Sequence, residues 1–364
     1  MRFRQLLGGM TAVGAMVALA IPGVATAHGR AAGFVYTETN AAGGNAVLAY
    51  TRARDGSLSA IGSFATGGNG SGGGLGSQGA VTLAGDGEWL LAVNAGSGDV
   101  SVFRVRDDGR LVLTDRTGAA GTDPISVTTN DGVAYVLDAG GAGNIAGFRL
   151  SDGHLRSIAG SQQPLSGAGT NPAEVAFSSD GRFLVVTERA TNKLDTYRVS
   201  DRGRAGPPVT TASSGPVPYG FAFDRHDHPI VSEAANSTLS SYWLGASGAT
   251  AISTSVPTGG LAACWVAVSP DGRWAFDSNA HGGTISSFSV ARDGSISLSH
   301  SVAADTGAGS TPLDLGVSSD GRFLYVIEAG SHALGGYSIG AGGTLSAVAG
   351  APVLPAGTSG IAVS

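Results

Sequence analysis

Carboxyl and carboxamide side chains recur once in each period of about 47 residues along this chain. Each stands at the end of a short apolar run, the second such run of its period. Clustered carboxyl groups act as general acids or bases when burial and neighbouring charges raise their pKa values. Their oxygen atoms also suit calcium or magnesium. The seven residues are Glu38, Asn94, Asp138, Glu188, Glu233, Asn279 and Glu328.

Further candidates lie before and after these positions. The first apolar runs of three periods start at or near Asp123, Glu174 and Asp314, and the segments after the second runs contain Arg189, Asn192, Asn236, His281 and His332. An arginine at position 189 could hold a substrate carboxylate or phosphate through two hydrogen bonds, or it could neutralise Glu188. The two histidines stand in neighbouring periods and could move protons at one edge of a site, or be solvated loop residues.

The elements that position these residues are short strands joined by tight turns. Residues 178–199 form one unit, in which Asp180-Gly181 precedes an apolar run, a polar loop and a second run. A second family of Asp-Gly turns falls between these units, so each period contains four strands, which is the content of one propeller blade. The first family of turns contains Asp86, Asp131, Asp180, Asp227, Asp271 and Asp320.

The number of innermost strands predicts seven blades. Six precede the Asp turns, and a seventh, at residues 360–364, is the last segment of the chain. Its partner strands start near Phe34 and Ala46, so the C-terminal strand should complete the first blade and close the ring. We therefore predict an all-β, seven-bladed β-propeller with four-stranded blades over residues 28–364.

In such a ring, the ends of the second strands and the starts of the innermost strands lie together at one rim of a central funnel. Three explanations of the seven polar residues stay open: loop capping within each blade, general acid and base catalysis, or a divalent-cation site such as calcium. On the catalytic explanation, Glu188 and Glu233 act as acid or base, with Glu174, His281 and His332 as further catalytic candidates. Substrate-binding roles go to Arg189, Asn192, Asn236, Glu328 and Glu38. No sequence motif requires a cofactor or a metal.

The N-terminal 27 residues have the pattern of a secretory signal peptide. Arg2 and Arg4 precede an apolar run, and Ala25-Thr26-Ala27 matches a cleavage site. We expect a secreted, soluble monomer without membrane insertion after cleavage.

The chain has a single cysteine, Cys264, which allows no internal disulfide. The net charge of -6 argues against nucleic acid as a partner. Residues 67–79 are rich in glycine, which predicts a flexible connection between blades 1 and 2.

The repeats resemble the lactonase family of seven-bladed propellers. The similarity rests on Ser-Ser/Pro-Asp-Gly-Arg-Phe/Trp at residues 178–183, 269–274 and 318–323, and on Glu233 followed by Asn236 and Ser237. Family membership implies opening or closing of a small lactone. It also implies arginine and histidine after a proline at the start of an innermost strand, where this chain has Pro172, Ala173 and Glu174. Two functions therefore stay open: a lactone hydrolase or cycloisomerase, or a non-catalytic extracellular propeller that binds a ligand or a protein.

Overall fold

The computed structural model describes residues 31–364, which form one compact unit, Ala31–Ser364. The predicted signal peptide lies outside the described residues. Antiparallel sheets follow one another along the chain, and each is one blade of a seven-bladed β-propeller. The fold prediction is confirmed. Within residues 31–364, no helix is long and apolar enough to cross a membrane.

Blades 1 to 4 contain the first sixteen strands and the last strand of the chain. Blade 1 consists of β1 (Gly33–Glu38), β2 (Ala46–Arg52), β3 (Leu58–Ala65) and β29 (Ser359–Val363). Blade 2 consists of β4 (Val81–Ala84), β5 (Trp89–Asn94), β6 (Asp99–Val105) and β7 (Leu111–Gly118). Blade 3 consists of β8 (Pro124–Asn130), β9 (Val133–Asp138), β10 (Asn144–Ser151) and β11 (His154–Ser157), and a short β12 (Gln163–Pro164) also pairs with β10. Blade 4 consists of β13 (Pro172–Phe177), β14 (Phe183–Glu188), β15 (Lys193–Val199) and β16 (Ala205–Ala212).

Blades 5 to 7 repeat the four-stranded pattern. Blade 5 consists of β17 (Pro218–Phe223), β18 (Pro229–Glu233), β19 (Thr238–Gly245) and β20 (Gly248–Pro257). Blade 6 consists of β21 (Ala263–Val268), β22 (Trp274–Asn279), β23 (Thr284–Val290) and β24 (Ile296–Asp305). Blade 7 consists of β25 (Pro312–Val317), β26 (Phe323–Glu328), β27 (Ala333–Ile339) and β28 (Leu345–Ala347), with a 3-10 turn at Ala341–Gly343.

The ring closes between the two ends of the described chain, as predicted. Strand β29 pairs with β1 in antiparallel register, with Tyr36 opposite Ala362. Arg52, which is fully buried, fixes this junction: its guanidinium donates to the Ser364 carbonyl at 3.2 Å and to Asp320 of blade 7 at 3.1 Å. One side chain therefore ties the last residue of the chain to both blades 1 and 7.

The Asp-Gly turns form because short polar side chains satisfy the turn backbone locally. Ser178 Oγ donates to Asp180 Oδ1 at 2.7 Å, and the same carboxylate oxygen accepts the backbone N–H of Arg182 at 3.0 Å. Gly181 has φ of 70°, which favours glycine. The same serine-to-aspartate bond occurs at Ser269 and Ser318, both at 2.6 Å.

Apolar residues fill the spaces between neighbouring blades, and buried tyrosines link three of these interfaces. Each lies on the second strand of its blade and donates to a glycine carbonyl in the outer turn of the next blade. Tyr325 reaches Gly56 at 2.7 Å and Tyr135 reaches Gly203 at 2.9 Å. The third is Tyr36, which donates to Gly109 at 3.2 Å. Each tyrosine ring is buried between two blades and its hydroxyl is hydrogen-bonded to the neighbouring blade, so together they fix the orientation of one blade relative to the next.

Candidate functional site

The starts of the innermost strands and the ends of the second strands meet at one face of the ring, which we call the upper face. Strand pairing places Pro172 opposite Glu188, and Pro218 opposite Glu233. The Asp-Gly turns lie at the opposite, lower face. The predicted juxtaposition of strand starts and ends at one rim is therefore confirmed.

Glu188 and Glu233 are fully buried and bonded within their own blades. Glu233 accepts the backbone N–H of Gly215 at 2.7 Å, the Ser240 hydroxyl at 2.6 Å and the Ser255 hydroxyl at 2.9 Å. Glu188 accepts both the backbone N–H of Ser166, at 2.9 Å, and its hydroxyl, at 2.6 Å. These donors belong to the third and fourth strands and the connecting loops, so both carboxylates act as caps for the loops of their blades.

The remaining members of the set of seven follow the same pattern. Glu328 accepts the Tyr337 hydroxyl at 3.0 Å and the Ser331 hydroxyl at 3.1 Å, and burial raises its pKa. Glu38 accepts the Asn45 amide at 3.1 Å, and burial raises its pKa well above the usual range. Asn94, Asp138 and Asn279 are also fully buried, and each is bonded to a side chain of its own third strand.

The expectation that the seven side chains converge on an open funnel is therefore wrong. At the end of a second strand, the third strand and its loop provide hydrogen-bond donors on the side away from the propeller axis. The carboxylates accept hydrogen bonds from these donors and do not face the axis. The catalytic roles of Glu188 and Glu233, and the binding roles of Glu38 and Glu328, stay predictions without an open site around them.

The chain itself fills the centre of the propeller. Residues 77–80, which we call the plug, cross the channel and bond to innermost strands around the ring. Gln78 donates from its backbone to Ala173 O at 3.1 Å and from its side chain to Val266 O at 2.7 Å. The Ser77 hydroxyl donates to Ile125 O at 2.8 Å. The prediction of a flexible connection is wrong for this part of residues 67–79, because a central channel surrounded by backbone groups gives this segment many partners.

Glu174 and Asp314 are buried beneath the plug and away from solvent. Glu174 accepts the backbone N–H of Phe221 at 2.6 Å, and Asp314 accepts that of Gly79 at 3.4 Å. Burial raises the pKa of Asp314 to about 8. Burial also raises the pKa of Glu174 well above its usual range, and the nearby Asp314 carboxyl adds to this shift. Glu174 therefore lies with the axis residues and does not line any of the cavities described below, and its catalytic role stays a prediction.

Arg189 holds two neighbouring blades together. Its guanidinium donates to the Asn171 side chain at 2.6 Å, to the Asn171 carbonyl at 3.1 Å and to the Tyr219 hydroxyl at 2.7 Å. It also lies over the ring of Tyr219, 4.6 Å from the centroid, a favourable cation–π arrangement. Arg189 is thus placed at the upper face as predicted, but it orders a tyrosine that the sequence analysis did not single out.

The other predicted loop residues are exposed at the upper face and separate into two groups. Asn192 is a loop residue with positive φ whose side chain accepts the backbone N–H of Val217 at 2.7 Å. Asn236 and His332 lie in exposed turns outside the pocket described next. His281 lies on the lining of that pocket. His332 does not line that pocket, and a joint role of the two histidines in proton transfer stays a prediction.

A pocket of ≈ 600 Å³ opens at the upper face between blades 5, 6 and 7. The rings of Tyr219 and Trp265 lie 5.0 Å apart and form one wall. Leu261, 63% exposed, lies at the mouth, and Leu313 lies on the blade 7 side. Pockets that bind small ligands are concave and mostly apolar, with a few fixed polar groups, and this pocket has that character.

Strand register explains why these residues meet. In each blade, the first residue of the innermost strand pairs with the last residue of the second strand. Tyr219, Cys264 and Leu313 each come directly after that first residue, which is the position that Ala173 holds in blade 4. Cys264 is buried, and burial raises its pKa to about 12, so it is held as a neutral thiol. Trp265 stands one residue further along its strand, at the position that Glu174 holds in blade 4. The sequence comparison considered only charged residues near the starts of these strands, and an alignment of every residue at both positions would have identified Tyr219 and Trp265.

Two other cavities, of ≈ 680 and ≈ 730 Å³, lie at the lower face beside Asp-Gly turns. In the first of these, the Asp271 carboxylate is used by the Ser269 hydroxyl and the Arg273 backbone to form the turn. Over residues 31–364, no group of three or more histidine, cysteine or acidic side chains is arranged to hold a metal ion. The pocket of blades 5–7 is therefore the candidate functional site.

Comparisons with known proteins agree with this architecture. The family described as "Lactonase, 7-bladed beta-propeller" matches residues 141–238 and 230–315. The structure is similar to that of a putative 6-phosphogluconolactonase from Bacteroides uniformis, with 16% identity and a TM-score of 0.71 over 91% of this chain and 99% of that one. It is also similar to the periplasmic gluconolactonase of Pseudomonas aeruginosa, with 17% identity and a TM-score of 0.69 over 91% and 98% of the two chains.

A curated relative, the uncharacterized protein YwcC of Lactococcus lactis, is 26% identical over 160 residues, which are 42% of this chain. The match spans 47% of that relative, or about half of its length. The fold and the matched repeats define a seven-bladed propeller of the lactonase type. The two overlapping segments that match the lactonase family together span residues 141–315 of this chain.

Proposed function

We propose that this protein opens or closes the ring of a small lactone in the pocket between blades 5, 6 and 7. The observation that carries the proposal is Tyr219, which lines the pocket and whose hydroxyl is fixed by Arg189 at 2.7 Å. Because its oxygen accepts a hydrogen bond from the guanidinium, its own proton is free to be donated. Burial raises the pKa of Tyr219, so the hydroxyl stays neutral and keeps that proton.

A hydroxyl held in this way can stabilise the charge that develops on a lactone carbonyl oxygen. In the hydrolytic direction, water attacks the carbonyl carbon, Tyr219 donates to the oxygen, and the bond from the carbonyl carbon to the ring oxygen breaks. His281, at the pocket rim, takes the proton from the water and returns it to the departing ring oxygen. Ring closure uses the same groups in reverse order.

Two variants and a matched control test this mechanism. Tyr219→Phe removes the donor but keeps the ring, and should lower kcat/KM for a lactone about 100-fold. His281→Gln should lower kcat and change the pH profile of turnover. Tyr242→Phe is the control: this buried tyrosine of the same blade accepts the Ser214 N–H at 2.9 Å and lies outside the pocket. Full activity of Tyr219→Phe would contradict the mechanism.

A second function, a non-catalytic binding propeller, is supported by a different observation. The acidic residues that the sequence nominated for catalysis are bonded within their blades, and Ala173 and Glu174 stand where the family pattern has arginine and histidine. Ligand binding without turnover, unchanged by His281→Gln, would favour this alternative.

We also propose that residues 1–27 direct secretion of the chain as a monomer. Mass spectrometry of the exported protein should then find an N-terminus at His28.

A further inference from the structure

The polar side chains in the pocket are few, and the Ser237 and Thr311 hydroxyls each already make one contact within the protein. The Ser237 hydroxyl accepts the backbone N–H of Ala262 at 2.8 Å. Thr311 is 3.5 Å from the Gly309 carbonyl. Besides these two, the polar side chains on the described lining are Tyr219 and His281, and the other residues are apolar, apart from the buried thiol of Cys264.

A sugar lactone would need many more partners than this pocket offers. Each buried hydroxyl left without a partner costs about 1–3 kcal/mol, and proteins that select hydroxylated substrates provide matching groups. A phosphate needs cationic side chains or a set of free backbone N–H groups. The nearby cation, Arg189, directs its donors to Asn171, Pro172 and Tyr219.

The apolar surface of the pocket, in contrast, is well placed for a flat or hydrocarbon-rich ring. The tilted rings of Tyr219 and Trp265 offer aromatic contact on one wall, and Leu313 adds an aliphatic surface. The Trp265 ring is held in place because its indole N–H donates to Ser77 O of the plug at 3.0 Å. The mouth carries Leu261, a residue that is 63% exposed and therefore available to cover a ligand.

We infer that the substrates of this pocket are apolar lactones, with an aromatic or alkyl group on or fused to the lactone ring, and not polyhydroxylated or phosphorylated sugar lactones. The inference rests on the proposed function for the site's chemistry. It adds the substrate class, which follows from the Tyr219–Trp265 wall, the exposed Leu261 and the small number of free hydrogen-bonding groups.

The first experiment compares turnover of dihydrocoumarin and δ-decalactone with turnover of glucono-δ-lactone and its 6-phosphate by the full chain. We expect kcat/KM to be at least about tenfold higher for the apolar pair. Equal or faster turnover of the sugar lactones would overturn the substrate class and leave the proposed activity intact.

The second experiment measures binding without chemistry, using coumarin as the probe in calorimetry. Leu261→Asp should weaken coumarin binding about tenfold or more, because a charge would stand at the apolar mouth. Val353→Asp, at an 83% exposed position outside the pocket, is the matched control and should bind as the unmodified chain does. Coumarin binding that is sensitive to Leu261→Asp, without turnover of any lactone, would support the ligand class and refute the proposed catalysis. No coumarin binding would overturn the inference.

Discussion

Replacing Asp314 by asparagine should change how the stability of the propeller depends on pH. The carboxyl is buried at the axis, 3% exposed, where it accepts the backbone N–H of Gly79 in the plug. Burial raises its pKa to about 8, whereas the unfolded chain has the ordinary aspartate value. Between these two values the folded protein holds one proton that the unfolded chain has lost.

The sign and size of the effect follow from this difference. The folded state binds more protons, so the free energy of unfolding falls as pH rises from about 4 to about 8. One group contributes about 1.4 kcal/mol per pH unit, or about 3 kcal/mol between pH 5 and pH 7. Asparagine keeps the shape and the carbonyl acceptor for Gly79 but has no titrating proton. The stability of Asp314→Asn relative to the unmodified chain should therefore increase by about 3 kcal/mol over that range.

Urea denaturation at pH 5, 6 and 7 measures this difference directly. Asp201→Asn, in an exposed turn, is the control because it removes a carboxyl from the surface of the same protein. If the stability difference between Asp314→Asn and the unmodified chain is the same at pH 5 and pH 7, then Asp314 is ionised in the folded protein. The account of a proton buried at the axis would then be wrong.

Two further predictions concern the parts that complete the ring. Gln78→Ala removes the side chain that bonds both the backbone N–H and the carbonyl of Val266, so it should lower the free energy of unfolding by about 2–3 kcal/mol. Urea denaturation measures this loss, and Gln162→Ala, at an exposed position of blade 3, is the control. Deletion of residues 359–364 removes β29 and exposes the edge of β1. The truncated chain should therefore lose cooperative thermal unfolding, as followed by circular dichroism. An unchanged melting curve would contradict the role of β29 in ring closure.

The repeat made the fold predictable, because each Asp-Gly turn is stabilised by its own neighbours and therefore appears in the local sequence. Asp180, Asp271 and Asp320 all occupy the turns expected of them. Closure by the last strand was also predictable, because the N-terminal part of blade 1 lacks an innermost strand. Both conclusions needed only short-range signals and a count.

The site was less predictable, because side-chain direction at a strand end depends on distant loops. Glu188 and Glu233 stand at the expected rim, but Ser166 and Gly215 draw them into their blades. The partners of Gln78 lie in blades 4 and 6, far along the chain, so the glycine-rich composition of its segment suggested flexibility. Tyr219 was overlooked because an aromatic residue near a strand start resembles ordinary core.

The plug gives the propeller two sides that do not communicate through its axis. Gln78 and its neighbours occupy the axis between the upper and the lower face, where they bond to the innermost strands. A compound bound in the pocket beside Tyr219 would therefore have no passage along the axis to the lower face. Exchange of such a compound with solvent would take place at the upper face, where Leu261 is exposed.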